Sequence, residues 1–130
     1  SVADYERYVA RHSANAIAAV HDLGVPVVHF GVGTAELLPA MHAVGADVMG
    51  VDDRITLSEA NRRLGGIVPL QGNLNPALLA APWPVLEARL RQVLESGAEA
   101  PAHVLNLGHG VPPETDPDVL TRLVEFVHGV

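Results

Sequence analysis

Four short segments set glycine beside side chains that can donate, accept or carry a proton. They are His29-Phe30-Gly31-Val32-Gly33-Thr34, Val51-Asp52-Asp53-Arg54, Gln71-Gly72-Asn73-Leu74-Asn75 and Asn106-Leu107-Gly108-His109-Gly110. Glycine lets a backbone approach a ligand closely, so the four together describe one shared site better than four unrelated turns. His109 is the leading candidate. Gly108 and Gly110 leave its ring accessible, and an imidazole can donate to a carboxylate or exchange a proton near neutral pH. The plainer role for it is a backbone hydrogen bond that holds a tight turn.

The remaining motifs are weaker. Gly31-Val32-Gly33 is part of a dinucleotide fingerprint, but Glu36 stands where its third glycine belongs. Asp52 and Asp53 are neighbours on an extended chain and point to opposite faces, so at most one enters a shared site. Arg54 neutralises one of them or meets an anionic ligand, and a surface ion pair is the commoner outcome. His29, Asp52 and His109 could converge at strand ends on a divalent metal, although no HxH or HExxH spacing supports it. His12, His21, His42 and His128 fall in helical stretches, His103 opens a strand, and Trp83 between prolines reads as loop packing. No serine-nucleophile motif of the GxSxG type is present.

Composition narrows the classes. The 130 residues include 15 acidic and 8 basic side chains, seven histidines and no cysteine, for a formal charge of −7. Such a chain lacks the basic face that nucleic acid or an anionic membrane requires. Without cysteine there are no disulfides, thiolate metal sites or cysteine nucleophiles. All eight basic residues are arginine, which removes Schiff-base and P-loop lysine chemistry. No apolar run nears the ~18 residues of a membrane span, and no secretory leader is evident. The expectation is one soluble, cytoplasmic domain over residues 1–130.

The elements that must position these segments follow from periodicity. Tyr5, Tyr8, Val9, His12, Ala16, Ala19, Val20 and Leu23 recur at helical spacing over 4–23, and Gly24 with Pro26 stops that helix. Strands are expected at 25–30, 47–51, 67–71 and 103–107. Helices are expected after Thr34, with Leu37, Leu38, Met41 and Val44 inward, and after the capping box Thr56-Leu57-Ser58-Glu59. Asn75-Pro76 opens a turn, and Pro84 a longer helix with Leu86, Leu90, Val93 and Leu94 inward. Asp116-Pro117 starts the last helix, with Leu120, Leu123, Val124 and Val127 on one stripe. One helix followed by four βα units means a parallel sheet. The pattern alone fits a small open sheet slightly better than half of a (β/α)8 barrel.

In order and spacing, the chain resembles the carboxyl-terminal part of uroporphyrinogen decarboxylases. The resemblance rests on Phe30-Gly31-Val32-Gly33-Thr34, Gly50-Val51-Asp52, Leu70-Gln71-Gly72-Asn73-Leu74-Asn75-Pro76, Asn106-Leu107-Gly108-His109-Gly110 and Glu114-Thr115-Asp116-Pro117. Two positions depart from the family pattern. Asp53 stands where tryptophan is frequent, and Asn75 where aspartate is usual.

The resemblance implies an α/β fold that is the carboxyl-terminal half of a (β/α)8 barrel, four parallel strands each followed by a helix. It also implies a cofactor-free, metal-free enzyme that converts uroporphyrinogen to coproporphyrinogen by removing four acetate carboxylates. Among this chain's residues it assigns substrate contact to His109. Gly31, Asp52, Gln71, Asn73, Gly108 and Gly110 are then candidate lining residues. The family's catalytic aspartate, arginines and tyrosine, and a substrate-binding serine, match nothing in these 130 residues, so the chain alone is expected to be inactive. A half-barrel also leaves two strand edges unpaired, which points to a homodimer or other self-association. Two alternatives stay open: a zinc-dependent methyltransferase-like relative, which the absence of cysteine disfavours, and a non-catalytic half-barrel assembly module. A metal-dependent hydrolase stands behind both.

Overall fold

The computed structural model describes residues 1–130. A helical lead runs through α1 (Val2–Asp4), a π-helical turn (Tyr5–Val9) and α2 (Ala10–His21). Then β1 (Val28–Phe30) leads through a 3₁₀ turn (Ala35–Leu37) into α3 (Leu38–His42), and β2 (Val48–Gly50) into α4 (Leu57–Arg63). Next, β3 (Leu70–Leu74) passes through a 3₁₀ turn (Pro76–Ala80) into α5 (Trp83–Gly97), and β4 (His103–Leu107) into α6 (Pro117–His128).

The strands form one parallel sheet in the order β1-β2-β3-β4. That order separates the two architectures the periodicity left open. A doubly wound sheet reverses its strand order at a switch point, whereas a barrel adds each strand beside the last. There is no reversal here, so the expected half of a (β/α)8 barrel is the fold observed.

Residues paired across a parallel sheet share a face, and the register makes the two faces unequal. His29 pairs with Met49 and Met49 with Leu70. Met49 and Leu70 are fully buried with Leu57 and Ala60 of α4 and Leu86 and Leu90 of α5. This is the helix-covered face and the core. The alternate row, Phe30 and Gly50 with Gln71 and Val104, has no helix over it. Phe30 is 43% exposed and Val104 56%. An ordinary surface rarely gathers large apolar side chains into one patch, but the inner wall of a barrel does.

Several local expectations hold for the reasons given. Thr56 Oγ1 accepts from the Glu59 N–H at 3.2 Å, Asn75 Oδ1 from Ala77 at 2.9 Å, and Asp116 Oδ1 from Asp118 at 3.0 Å. Three others need correction. The first concerns the lead helix, where only Tyr5 of the expected inward stripe is buried, while Tyr8, Val9, Val20 and Leu23 are exposed. Ala10 and Ile17 pack on the core instead. The π-helical turn takes more residues per turn than 3.6, so a stripe continuous in sequence drifts around the helix. The second is β3, which lies three residues later than expected: Pro69 has no donor for the ladder and precedes the strand. The third is Val124, which faces outward at 49% exposure while Phe126 packs inward.

Thr34 also caps differently. Its hydroxyl donates back to the Gly31 carbonyl at 2.8 Å instead of capping α3. At α4 the capping box closes only half-way, because the Glu59 carboxylate turns along the helix to Arg62 Nε at 2.6 Å and Arg63 Nε at 2.8 Å. Arg63 Nη1 reaches on to Glu36 at 2.7 Å and the Ala35 carbonyl at 2.9 Å, tying α4 to the crossover after β1. The hydrogen bonds from Arg62, then from Arg63, lower the Glu59 carboxyl to about 2 from an ordinary 4.5. A carboxyl depressed in the folded state stabilises above its unfolded value, and that contribution is lost as pH falls through the folded one. Melting scans of wild type and Glu59→Gln should therefore differ above pH 4.5 and converge toward pH 2. A gap that is constant across that window would remove the ion pair from the account.

Candidate functional site

At the carboxyl ends of the strands, the helix-free face opens into a depression of about 520 Å³. Val28 and Phe30, both exposed, form its apolar floor, and its polar lining is Gln71, Asn106 and His109. The loop after β4 brings His109 to the rim. Gly110 lies beside it in open space, where an added Cβ would meet nothing within 4 Å. Apolar floor and uncharged or titratable donors suit a broad amphipathic ligand: the floor takes its ring faces and the donors its carboxylates.

The expected site residues divide into those that face this space and those that shape it. Gln71, His109 and Gly110 line it. Gly31, Asp52, Asn73 and Gly108 lie behind the lining. Asp52 is 2% exposed. Its Oδ2 accepts from the Gly33 N–H at 2.5 Å and from Arg54 Nη1 at 2.8 Å, so it clamps the loop after β1 to the end of β2. Arg54 is thus occupied by Asp52. Asn73 is buried as well, donating from Nδ2 to the carbonyls of Asp52 at 2.8 Å and Ile55 at 2.5 Å. The Gln71-Gly72-Asn73 segment, expected beyond the strand, is inside β3, and its Gly72–Asn73 peptide is cis.

Glycine is required at two of these places by close packing. A Cβ on Gly108 would lie 2.5 Å from the Asp53 backbone nitrogen, while its own N–H donates to the Leu74 carbonyl at 2.7 Å. A Cβ on Gly72 would run into the Val51 carbonyl oxygen. Asp53, the departure from the family pattern, is therefore packed under Gly108, and its Oδ1 is buried with no hydrogen-bond partner.

The histidine-carboxylate trio does not assemble. His29 points to the helix side, with Nδ1 at 3.0 Å from the Met41 carbonyl oxygen. His103 is likewise on the helix side, with Nε2 at 2.7 Å from the Gly72 carbonyl oxygen. No three histidine or carboxylate side chains come together as a metal cluster anywhere in the chain. Trp83 packs from the first turn of α5 onto α6 rather than in the expected loop, edge-on to Phe126 at 5.9 Å, with Arg122 3.9 Å above its ring. A second depression, between α4 and α5, is lined by Ser58, Ser96 and Glu99. These three hydrogen-bond one another at 2.7 and 3.0 Å, and Asn73 near the end of β3 also borders this depression.

Asn106 is the lining residue that spacing did not single out. The signal was available: it lies two residues beyond Val104, on the same side of β4, and so on the face of Gln71.

The chain is similar over nearly its whole length to several known proteins. The curated Arthrobacter sp. (strain FB24) uroporphyrinogen decarboxylase is 66% identical over 129 residues, covering 99% of this chain and 37% of that protein. That of Leifsonia xyli is 59% identical, covering 99% of this chain and 38% of its own length. That of Salinispora tropica is 60% identical, covering 98% and 34%. The chain thus spans a little over a third of the length of the curated relatives it matches. Among solved structures, a methyltransferase from Methanosarcina mazei superposes with a TM-score of 0.80 at 20% identity, over 96% of this chain and 36% of that one. At that identity the likeness concerns the fold alone. The sequence profile of uroporphyrinogen decarboxylase (URO-D) matches residues 1–130, end to end, and the chain belongs to that family.

Proposed function

We propose that this chain supplies one wall of a decarboxylase barrel whose substrate is uroporphyrinogen, with His109 holding a substrate carboxylate. The observation that carries this reading is the depression itself. A floor of Val28 and Phe30 accepts pyrrole faces, and Gln71, Asn106 and His109 around it present donors to acidic side arms. Gly31, Asp52, Asn73 and Gly108 keep that wall in shape from behind.

The reaction needs no cofactor, because the pyrrole serves as its own electron sink. Protonation of the ring carbon beside the acetate-bearing position makes a cationic ring conjugated to that position. The bond from CH2 to the carboxylate then breaks, its electron pair moves toward the ring, and carbon dioxide leaves. A proton added to the CH2 carbon and one lost from the ring leave a methyl group, so each acetate consumes one proton net. The protein must hold the acid in place and stabilise the cationic ring. In this chain the acids nearest the site are not free for that work, since Asp52 is bound to Gly33 and Arg54 and Asp53 is wedged under Gly108. Hence the chain by itself does not turn over. Its open face and two free strand edges take up an amino-terminal half or a second copy, in the cytoplasm.

Joining this chain to the amino-terminal portion of the Arthrobacter relative provides the test. Anaerobic incubation with uroporphyrinogen, followed by separation of products by carboxylate number, should show four-carboxylate product from the joined protein and none from the chain alone. His109→Ala in the joined protein should lower turnover per molar substrate about tenfold to hundredfold, the loss of a hydrogen bond to a charged group. Carboxylate loss catalysed by the chain alone would overturn this division of labour.

A further inference from the structure

We infer that Asn106 is a second carboxylate-binding donor of this site, oriented for that purpose by its own strand. The inference rests on the functional reading above. Asn106 Oδ1 accepts the N–H of Leu107 at 2.8 Å. A backbone N–H can only donate, so the atom facing it must be the amide oxygen, and the other end of the side chain must be the NH2. Asn106 lines the depression together with Gln71 and His109, so the NH2 is the polar group its side chain has left to offer a ligand there.

A free asparagine can present either its oxygen or its nitrogen by rotating half a turn. This one cannot rotate without giving up the bond to Leu107. It is therefore a fixed donor, and it selects acceptors. An ionised carboxylate accepts and does not donate, so it is the group such an amide recognises best. No arginine lines the depression, and Arg54 nearby is held by Asp52. Carboxylates at this wall then meet two side-chain amides and an imidazole, and Asn106 is the one whose direction the backbone dictates.

The substitution that separates this role from a merely structural one is Asn106→Asp. Aspartate keeps an oxygen for the Leu107 N–H and so preserves the end of β4, but it replaces the donor with a negative charge. In the joined protein, Asn106→Asp should melt within a few degrees of wild type and raise the KM for uroporphyrinogen at least about tenfold. Salt should shrink that rise, because it screens like charges. An unchanged KM in a folded, active protein would overturn the inference. A measurement that needs no variant accompanies it. On addition of coproporphyrinogen under anaerobic conditions, the side-chain NH2 protons of Asn106 should shift downfield in the nitrogen–proton spectrum. Binding that moves the His109 neighbourhood and leaves those protons in place would exclude Asn106 as a donor. A joined protein that binds the tetrapyrrole, shifts those protons and fails to decarboxylate would instead sink the functional reading and leave the donor standing.

Discussion

Gly72→Ala should be among the most destabilising single-methyl additions this chain can receive, lowering the melting temperature by about 10 °C at roughly 4 °C per kcal/mol. Two effects combine at that position. Gly72 sits at φ +137°, a conformation that side chains rarely adopt, and such backbone costs about 1–3 kcal/mol. In addition, the new Cβ would overlap the Val51 carbonyl oxygen on the neighbouring strand. That atom is backbone, so it can yield only if β2 shifts, for about 1–3 kcal/mol more. A domain of this size is held by roughly 6–20 kcal/mol in all. Gly65→Ala is the control: its φ is +72° but nothing lies within 4 Å of an added Cβ, so it should cost only about 1–2 kcal/mol. Urea titrations of both variants decide the matter. Equal losses would mean that the contact with Val51 contributes nothing.

Asp52→Ala should lose about 3 kcal/mol and loosen one rim of the site. The carboxylate is buried, and its removal strands the Gly33 N–H and frees Arg54. These two consequences differ in size. Arg54 is 57% exposed, so its half of the ion pair is screened by water and contributes under about 1 kcal/mol. Most of the loss comes from the backbone N–H, since a hydrogen bond to a charged acceptor contributes about 1.5–3 kcal/mol. Arg54→Ala should therefore be nearly neutral while Asp52→Ala is not. Hydrogen exchange reports the same division: the Gly33 amide should lose protection in Asp52→Ala and keep it in Arg54→Ala. If the arginine variant proves as damaging as the aspartate one, the clamp is an ion pair first and a loop anchor second.

Asp52 also illustrates what spacing could and could not reveal. The adjacency of Asp52 and Asp53 correctly implied that the two do not enter one site together, because neighbouring side chains on an extended strand diverge. Neither enters it. One is buried as a clamp and the other packs under Gly108, and both outcomes depend on loops from distant parts of the chain meeting at β2. The same holds for His29, which shares a junction with Gly31 in sequence but faces the helices in space. Strand parity placed Gln71 and Asn106 on one face, yet it takes the pairing of β3 with β4 to make them neighbours.

The lead helix failed for a local reason: a π-helical turn breaks the 3.6-residue phase on which the inward stripe was drawn. β4 was legible to the residue, since His103–Leu107 is bounded by proline on one side and glycine on the other. β3 was not, since its glycine and asparagine read as loop until the neighbouring strand supplied their partners.

By itself, then, the sequence determined the alternation of strand and helix, the caps at Thr56, Asn75 and Asp116, and the family, because these depend on local chemistry and on motifs read in order. Only the tertiary structure decided that the strands run 1-2-3-4 without reversal, and that one face is left bare. It alone assigned Gln71, Asn106 and His109 to the space and Asp52 and Asn73 to its support. Those are questions of which backbone lies beside which, and hydrogen bonds between residues far apart in the chain answer them.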